Sequence, residues 1–327
     1  MSPFNLLQPR RESLQAEYDL LGEKLVKLRR ASAIVADESV KFQRQKEVEQ
    51  TEAELERIVK SLESLERLSE DGLLYQALLK LGYRKQVQTF RRFIQDNPVA
   101  AFLIYGESDR GQRWLLNRLV TQHTRDSITG KVVKVKLDRI GRRSDVAALW
   151  SELGKRVGLG AKGSIPRIVE RVYQWSETQN VLLIFHGIDY LPESCLGDLL
   201  KDFWCPLASG AKGRSRSKDY RLLMFLVDYE GTVGDLPIQF VENLNVDWKP
   251  EVPVKLPRIN DFSESELASW LDFSADDLSL NLVDNVDETA QVIFTNGDEG
   301  VPELTFSEIC RLSSIDWYDK EEVWMKL

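Results

Sequence analysis

Through the middle of the chain, short apolar runs alternate with longer stretches whose apolar residues return every three or four positions. Residues 100–105 are uninterruptedly apolar and stop at Gly106; residues 181–185 and 221–228 form similar runs, and residues 131–137 alternate valine with lysine. Runs this short and rich in β-branched residues predict buried strands of the kind found in parallel sheets. Residues 144–157 and 164–178 carry helical spacing. Strands separated by helices of that length predict an α/β fold with a mostly parallel sheet flanked by helices.

The first 70 residues have another rhythm. Leu14, Tyr18, Leu21, Leu25 and Leu28 alternate steps of four and three, and Val48, Thr51, Leu55, Ile58, Leu62 and Leu65 repeat that spacing. This is the seam of a coiled coil. Ala36-Asp-Glu-Ser39 separates the two runs with helix-capping residues. Residues 1–70 therefore predict an antiparallel coiled-coil hairpin, with arms of about 25 residues and some 35–40 Å at ~1.5 Å per residue. A two-helix hairpin alone buries little surface. Leu14, Leu21, Leu25, Leu28, Leu55, Ile58, Leu62 and Leu65 are accordingly candidate interface positions, for self-association or for a protein partner.

Toward the C-terminus, Ser263 and Glu266 have the spacing of a capping box and predict a helix running through Trp270. Residues 272–299 are acidic with little apolar periodicity, which predicts a partly irregular insertion. Residues 302–327 predict helix again, with Phe306, Ile309, Cys310 and Leu312 on one face and Trp317, Tyr318, Val323, Trp324 and Leu327 beyond. The expected organisation is a hairpin module over 1–70, an α/β domain over 71–250, and a helical acidic part over 251–327 packing on it.

Candidate chemistry sits where the first apolar run ends. Gly106, four residues, then Gly111 opening a helix is the strand, G-x-x-x-x-G and helix grammar of a phosphate-binding loop. The next two positions should be a lysine for the β- and γ-phosphates and a hydroxyl for Mg²⁺. Here they are Gln112 and Arg113; the amide carries no charge and a guanidinium cannot ligate a cation. The run over 181–185 should end in a metal-orienting Asp, but His186 stands there. Asp189 keeps the second acidic position and Tyr190 replaces the acid that would polarise water. Mg²⁺ takes oxygen, so an imidazole is a poor substitute. Gly106, Gly111, Gln112 and Arg113 read as a vestigial phosphate loop, and His186 with Asp189 as a degenerate strand end, with no catalytic residue and no metal ligand among them.

Those two motifs, with the exit segment over 254–262, resemble the STAND NTPases, the signal-transducing ATPases with numerous domains, in their inactive branch from bacterial conflict and signalling systems. The resemblance spans roughly residues 73–327. It implies a scaffold descended from a nucleotide switch, without bound cofactor, paired with an N-terminal module that recruits an effector. The hairpin is similar to the small effector-associated helical modules of the same systems. The winged-helix and repeat sensor arrays of a full STAND protein find no room in the sequence.

Composition narrows the remaining classes. No run approaches ~18 apolar residues, so no membrane-spanning helix is expected. The three cysteines lack metal-ligand spacing and the two histidines are far apart, which fits a cytoplasmic protein without a thiolate or imidazole metal centre. The net charge of −8 conceals a division: residues 71–227 hold 26 basic and 15 acidic side chains, whereas residues 228–327 hold 6 and 23. Either the basic middle, with Lys131, Lys134, Lys136, Arg139, Arg142, Arg143 and the polar loop over 209–218, contacts nucleic acid, or the acidic segment lies against it. The second is preferred, because that segment repels a phosphate backbone.

The functional expectation is a non-catalytic adaptor that links sensor and effector proteins encoded nearby. The alternatives are a nucleotide-binding switch that does not hydrolyse, using Arg110 or Arg113 against phosphate, and, less favoured, a nucleic-acid-binding module.

Overall fold

A computed structural model of the protein describes residues 4–32, 38–67, 70–124, 130–138, 146–161, 163–213, 220–244, 247–325 and 327. They divide into two compact units: residues 1–80 with 274–279, and residues 81–273 with 280–327.

In the first unit, α1 (Phe4–Ser32) and α2 (Glu38–Arg67) pack against each other, and α3 (Glu70–Leu78) follows. The arms have 29 and 30 residues, longer than the heptad count alone suggests. Val48, Thr51 and Ile58 are buried. Leu14, Leu21, Leu25, Leu28, Leu55 and Leu62 are half-buried. Tyr18, expected in the seam, is instead 37% exposed. The side chain of Leu65 and most of the Ala36–Ser39 cap lie outside the described residues. Lys80 pairs with Asp277 at 2.8 Å in the same unit.

The second unit is built on five strands: β1 (Val99–Tyr105), β2 (Lys131–Lys136), β3 (Val181–His186), β4 (Leu222–Asp228) and β5 (Val254–Lys255). They form one sheet in the order β2-β3-β4-β1-β5, and every pairing is parallel. The expected α/β, P-loop-NTPase-like fold is what the chain forms. Period-two alternation sends Ala101, Leu103, Val133, Val135, Leu183, Phe185, Met224 and Leu226 into one core. That layer is covered by α6 (Val146–Arg156), α7 (Ile165–Thr178) and a long run in which α8 (Glu193–Asp198) passes through a π-helical stretch, Leu199–Trp204, into α9 (Cys205–Gly213). The alternate side chains face α4 (Arg84–Asp96) and α5 (Gln112–His123). There Phe90 lies 4.8 Å from Phe102 and 5.8 Å from Phe225, centroid to centroid.

Several expectations are corrected. Residues 209–213, expected in a polar loop, end α9, because Ala208 and Ala211 are buried against the sheet layer; residues 214–218, with Arg139, Arg142 and Arg143, lie outside the described set. Residues 272–299 are more helical than their periodicity suggests. After the capping box, in which Glu266 N–H donates to Ser263 Oγ and Ser263 N–H to Glu266 Oε2, come α10 (Glu264–Phe273), α11 (Leu280–Val283) and α12 (Val286–Asn296). α12 needs only Ala290 and Ile293 as buried contacts and an Asn285 side-chain cap to start it. The last stretch breaks into α13 (Pro302–Leu312) and α14 (Trp317–Trp324), which leaves Tyr318 and Val323 exposed. No helix among the described residues is long and apolar enough to cross a membrane.

Candidate functional site

The carboxyl ends of β1, β3 and β4 bring three loops together, the place where parallel α/β sheets usually present ligands. The first is the loop between β1 and α5, residues 106–111. Gly111 adopts φ +70°, and a side chain there would meet the Tyr83 hydroxyl at 2.3 Å. The sequence thus placed Gly106, Gly111, Gln112 and Arg113 where a phosphate loop would be. Its interior, however, is occupied by the chain itself. The Gln112 amide, buried to 1% exposure, donates to the carbonyls of Gly106 at 2.9 Å and Glu107 at 2.8 Å, with Tyr229 O at 3.4 Å. A phosphate needs donors pointing at it; these carbonyls repel one, and they are already spoken for. The residues present do not fit a nucleotide triphosphate with Mg²⁺.

Outside, the loop is covered. The Tyr83 hydroxyl donates to Arg110 O at 3.0 Å, and the backbone N–H of Glu303, in the first turn of α13, donates to Asp109 O at 3.1 Å. Arg110 pairs with Asp261 at 2.7 Å, Arg258 with Glu107 at 3.1 Å, and Arg113 with Glu321 of α14 at 3.1 Å. An aromatic cluster anchors this cover: Trp114 of α5 lies 5.0 Å from Phe306 and 5.4 Å from Trp317, and Phe306 stacks on Trp317 at 5.3 Å. Burial, with Asp109 and Glu321 nearby, pushes the Glu303 carboxyl up to about 7.

The second and third loops follow β3 and β4. His186 ends β3 directly beside Lys136 of β2, and its Nδ1 lies 2.8 Å from the Tyr229 hydroxyl. Burial foremost, then Arg113, Lys134 and Lys136, lowers the imidazole to about 4, so it is neutral near pH 7. Burial raises the Tyr229 phenol, which therefore keeps its proton. Asp189, in a 3₁₀ turn, accepts at Oδ1 from Tyr229 N–H at 2.9 Å and ties the β3 and β4 loops together. Asp228, fully buried at the end of β4, accepts from the N–H groups of Glu230, Gly231 and Val233 at 2.8–3.0 Å. That turn brings Gly231 so close to the Gly106 carbonyl that a Cβ would sit at 2.8 Å from its oxygen.

The structure joins Gln112, Arg113, His186 and Asp189 into one neighbourhood. The interface candidates Leu14, Leu21, Leu25, Leu28, Leu55, Ile58 and Leu62 lie in the other unit. Tyr83, Tyr229, Glu303 and Glu321 were not singled out from sequence. Glu303 follows a helix-starting Pro302, and Tyr229 lies just past a strand end, the only local signals they carry.

The sequence model of the family described as inactive STAND matches residues 78–227. A search of curated proteins finds no match. The matched segment runs from just before α4 through all but the last residue of β4 and contains both degenerate motifs. Over residues 78–227, a little under half of the chain, the sequence is similar to the inactive STAND family.

Proposed function

We propose that the chain is a pseudo-NTPase scaffold: the α/β unit supplies a rigid body, and the hairpin over residues 1–70 recruits a protein partner. The partner class is a sensor or effector encoded nearby in a bacterial conflict or anti-phage system, with the chain as adaptor between them in the cytoplasm. The observation that carries the non-catalytic part is the Gln112 side chain, which fills the phosphate loop and engages its carbonyls. The missing lysine, hydroxyl and acids at Gln112, Arg113, His186 and Tyr190 support it further, because losing one charge-stabilising donor costs roughly 10²–10³ in rate. The hairpin reading rests on a thin pair of arms whose described seam is only partly covered.

The test is a pair of measurements on the full chain. Mg²⁺-dependent turnover of ATP and GTP should equal a buffer blank; turnover lost on mutating Gly111 would end the pseudo-NTPase reading. Leu21→Glu combined with Leu62→Glu should abolish capture of the neighbouring gene product while the α/β unit keeps its melting transition. Unchanged capture would remove the hairpin's assigned role.

A further inference from the structure

The outer face of α4 carries charge of one sign. Gln86, Phe90, Phe93 and Ile94 form its buried side. Arg84, Lys85, Arg91 and Arg92 are exposed on the opposite side, over about 12 Å at ~1.5 Å per residue. No carboxylate precedes Asp96 at the end of the helix. Two of the four cations stand in the first turn, where the helix end already disfavours positive charge. None of the four makes an ion pair among the described residues. The helix is also a fixed platform. Its Gln86 amide donates to the carbonyls of Pro257 at 3.2 Å and Arg258 at 3.0 Å, and Arg118 of α5 holds the carbonyls of Leu81 and Gly82 at 2.7 Å.

The complementary charge lies in the same unit. Residues 259–310 hold 13 Asp and Glu and not one Lys or Arg. Along α10 to α12, Glu264, Asp272, Asp284 and Asp287 are exposed and make no ion pair among the described residues. The acidic segment is expected to lie against the basic middle, and in part it does: Asp261 takes Arg110 and Glu321 takes Arg113. The fold leaves α4 out of that pairing. Ordinary surfaces intersperse the two signs; here each patch repels itself and matches the other. We propose that the exposed face of α4 docks on the α10–α12 carboxylates of a second copy of this chain. Guanidinium groups suit carboxylates through paired hydrogen bonds, and Phe273, 77% exposed beside Asp272, presents a ring face to them. The net charge of −8 acts over distances that salt screens, since the Debye length is about 8 Å at physiological ionic strength, whereas docked patches lie within that length. Nucleic acid suits α4 less well, because the 13 carboxylates of the same unit repel its backbone. A contact between two different surfaces lets one scaffold gather several copies of what it recruits, which goes beyond the scaffold reading.

The experiment is sedimentation equilibrium of the full chain, up to about 100 μM, at about 50 mM and about 500 mM NaCl. The chain should associate at low salt and at least about tenfold more weakly at high salt. Arg91→Glu with Arg92→Glu, and separately Asp284→Lys with Asp287→Lys, should each weaken association at least about tenfold. Melting temperatures close to that of the unaltered chain should show that both variants fold. Mixed in equal amounts, the two variants should regain association, because each supplies the charge that the other's reversed surface needs. Three results would each overturn the proposal: a monomer at the highest concentration in low salt, association that survives both salt and both variants and so lies elsewhere, as in the hairpin, or no recovery on mixing. Duplex DNA bound by the intact chain and released by the arginine changes, without self-association, would assign α4 to nucleic acid and overturn it too. ATP turnover by the protein would refute the scaffold reading without touching this one.

Discussion

Two neighbouring regions at the carboxyl edge of the sheet have opposite fates. The loop between β1 and α5 keeps the glycine spacing of a phosphate site, yet its interior is filled by Gln112 and its rim by α13 and α14. A cavity over β2 and β3 matches no motif, yet it is open, with Arg113, Lys134, Lys136 and Asp138 in its lining. The loop is sealed because the carbonyls of Gly106, Glu107, Asp109 and Arg110 accept from the chain itself, and Arg110 and Glu107 are held in ion pairs. The cavity lies over β2, which among the described residues pairs on one side only. Motif spacing thus records the frame of a phosphate site, while only the packing shows that the frame is closed.

The comparison breaks most readily at the cover. Trp317→Ala removes the ring stacked on Phe306 and packed against Trp114 and Trp324. Truncating a buried tryptophan costs about 3–5 kcal/mol, so chemical denaturation should show a loss of that size, and proteolysis should cut first within residues 302–327. Retained stability would mean that the cover does not depend on this cluster.

Gln112→Ala tests the filling of the loop. It strips the buried Gly106 carbonyl and the half-buried Glu107 carbonyl of their donor, at a cost of about 1–3 kcal/mol, read as a lower denaturation midpoint. Gln112→Lys with Arg113→Thr should restore no Mg²⁺-dependent turnover, because the cover remains; turnover in that variant would show that the side chains alone had closed the site.

The two regions should also respond to pH with opposite signs. Glu303, beside the sealed loop, has a folded value of about 7 against an ordinary 4.5. The folded state therefore holds the extra proton, and stability declines as pH rises from 4.5 to about 7. His186, at the cavity, has a folded value of about 4 against 6.5. The unfolded chain takes the proton first, and stability declines as pH falls from 6.5 to about 4. Each slope integrates to roughly 1–3 kcal/mol. Glu303→Gln should raise the midpoint at pH 8 but not at pH 4, and His186→Phe should flatten the acid limb; the reverse pairing would contradict the geometry assigned to both groups.

The smallest effect belongs to Tyr190→Ala. A side chain 48% exposed should change the denaturation midpoint by no more than about 0.5 kcal/mol. A larger loss would show that Tyr190 is packed into the fold.

How much was legible depended on how local the cause was. β1, β3 and β4 announced themselves because strands buried on both faces have no polar positions to confuse the pattern. α4 and the run from α8 to α9 were overlooked although Phe90, Phe93 and Ile94, and Leu196, Leu199, Leu200, Phe203 and Leu207, do recur at helical spacing and are buried. α12 was overlooked among the acidic residues around it, although Val286, Ala290 and Ile293 recur at steps of four and three. Of the candidate site, glycine spacing located the loop, while nothing near Gln112 said that its amide would turn inward.

The sequence by itself determined the alternation of strand and helix, the position of both degenerate motifs and the heptad seam of the first 70 residues, because each follows from residues close together in the chain. Only the tertiary structure decided that the loop is closed and the cavity open. Arg113 meets Glu321 across 208 positions, Gln86 holds the carbonyls of Pro257 and Arg258 across more than 170, and Lys136 meets His186 only through strand register. Partners that far apart leave no local pattern, since what selects them is the packing of the whole sheet and its cover.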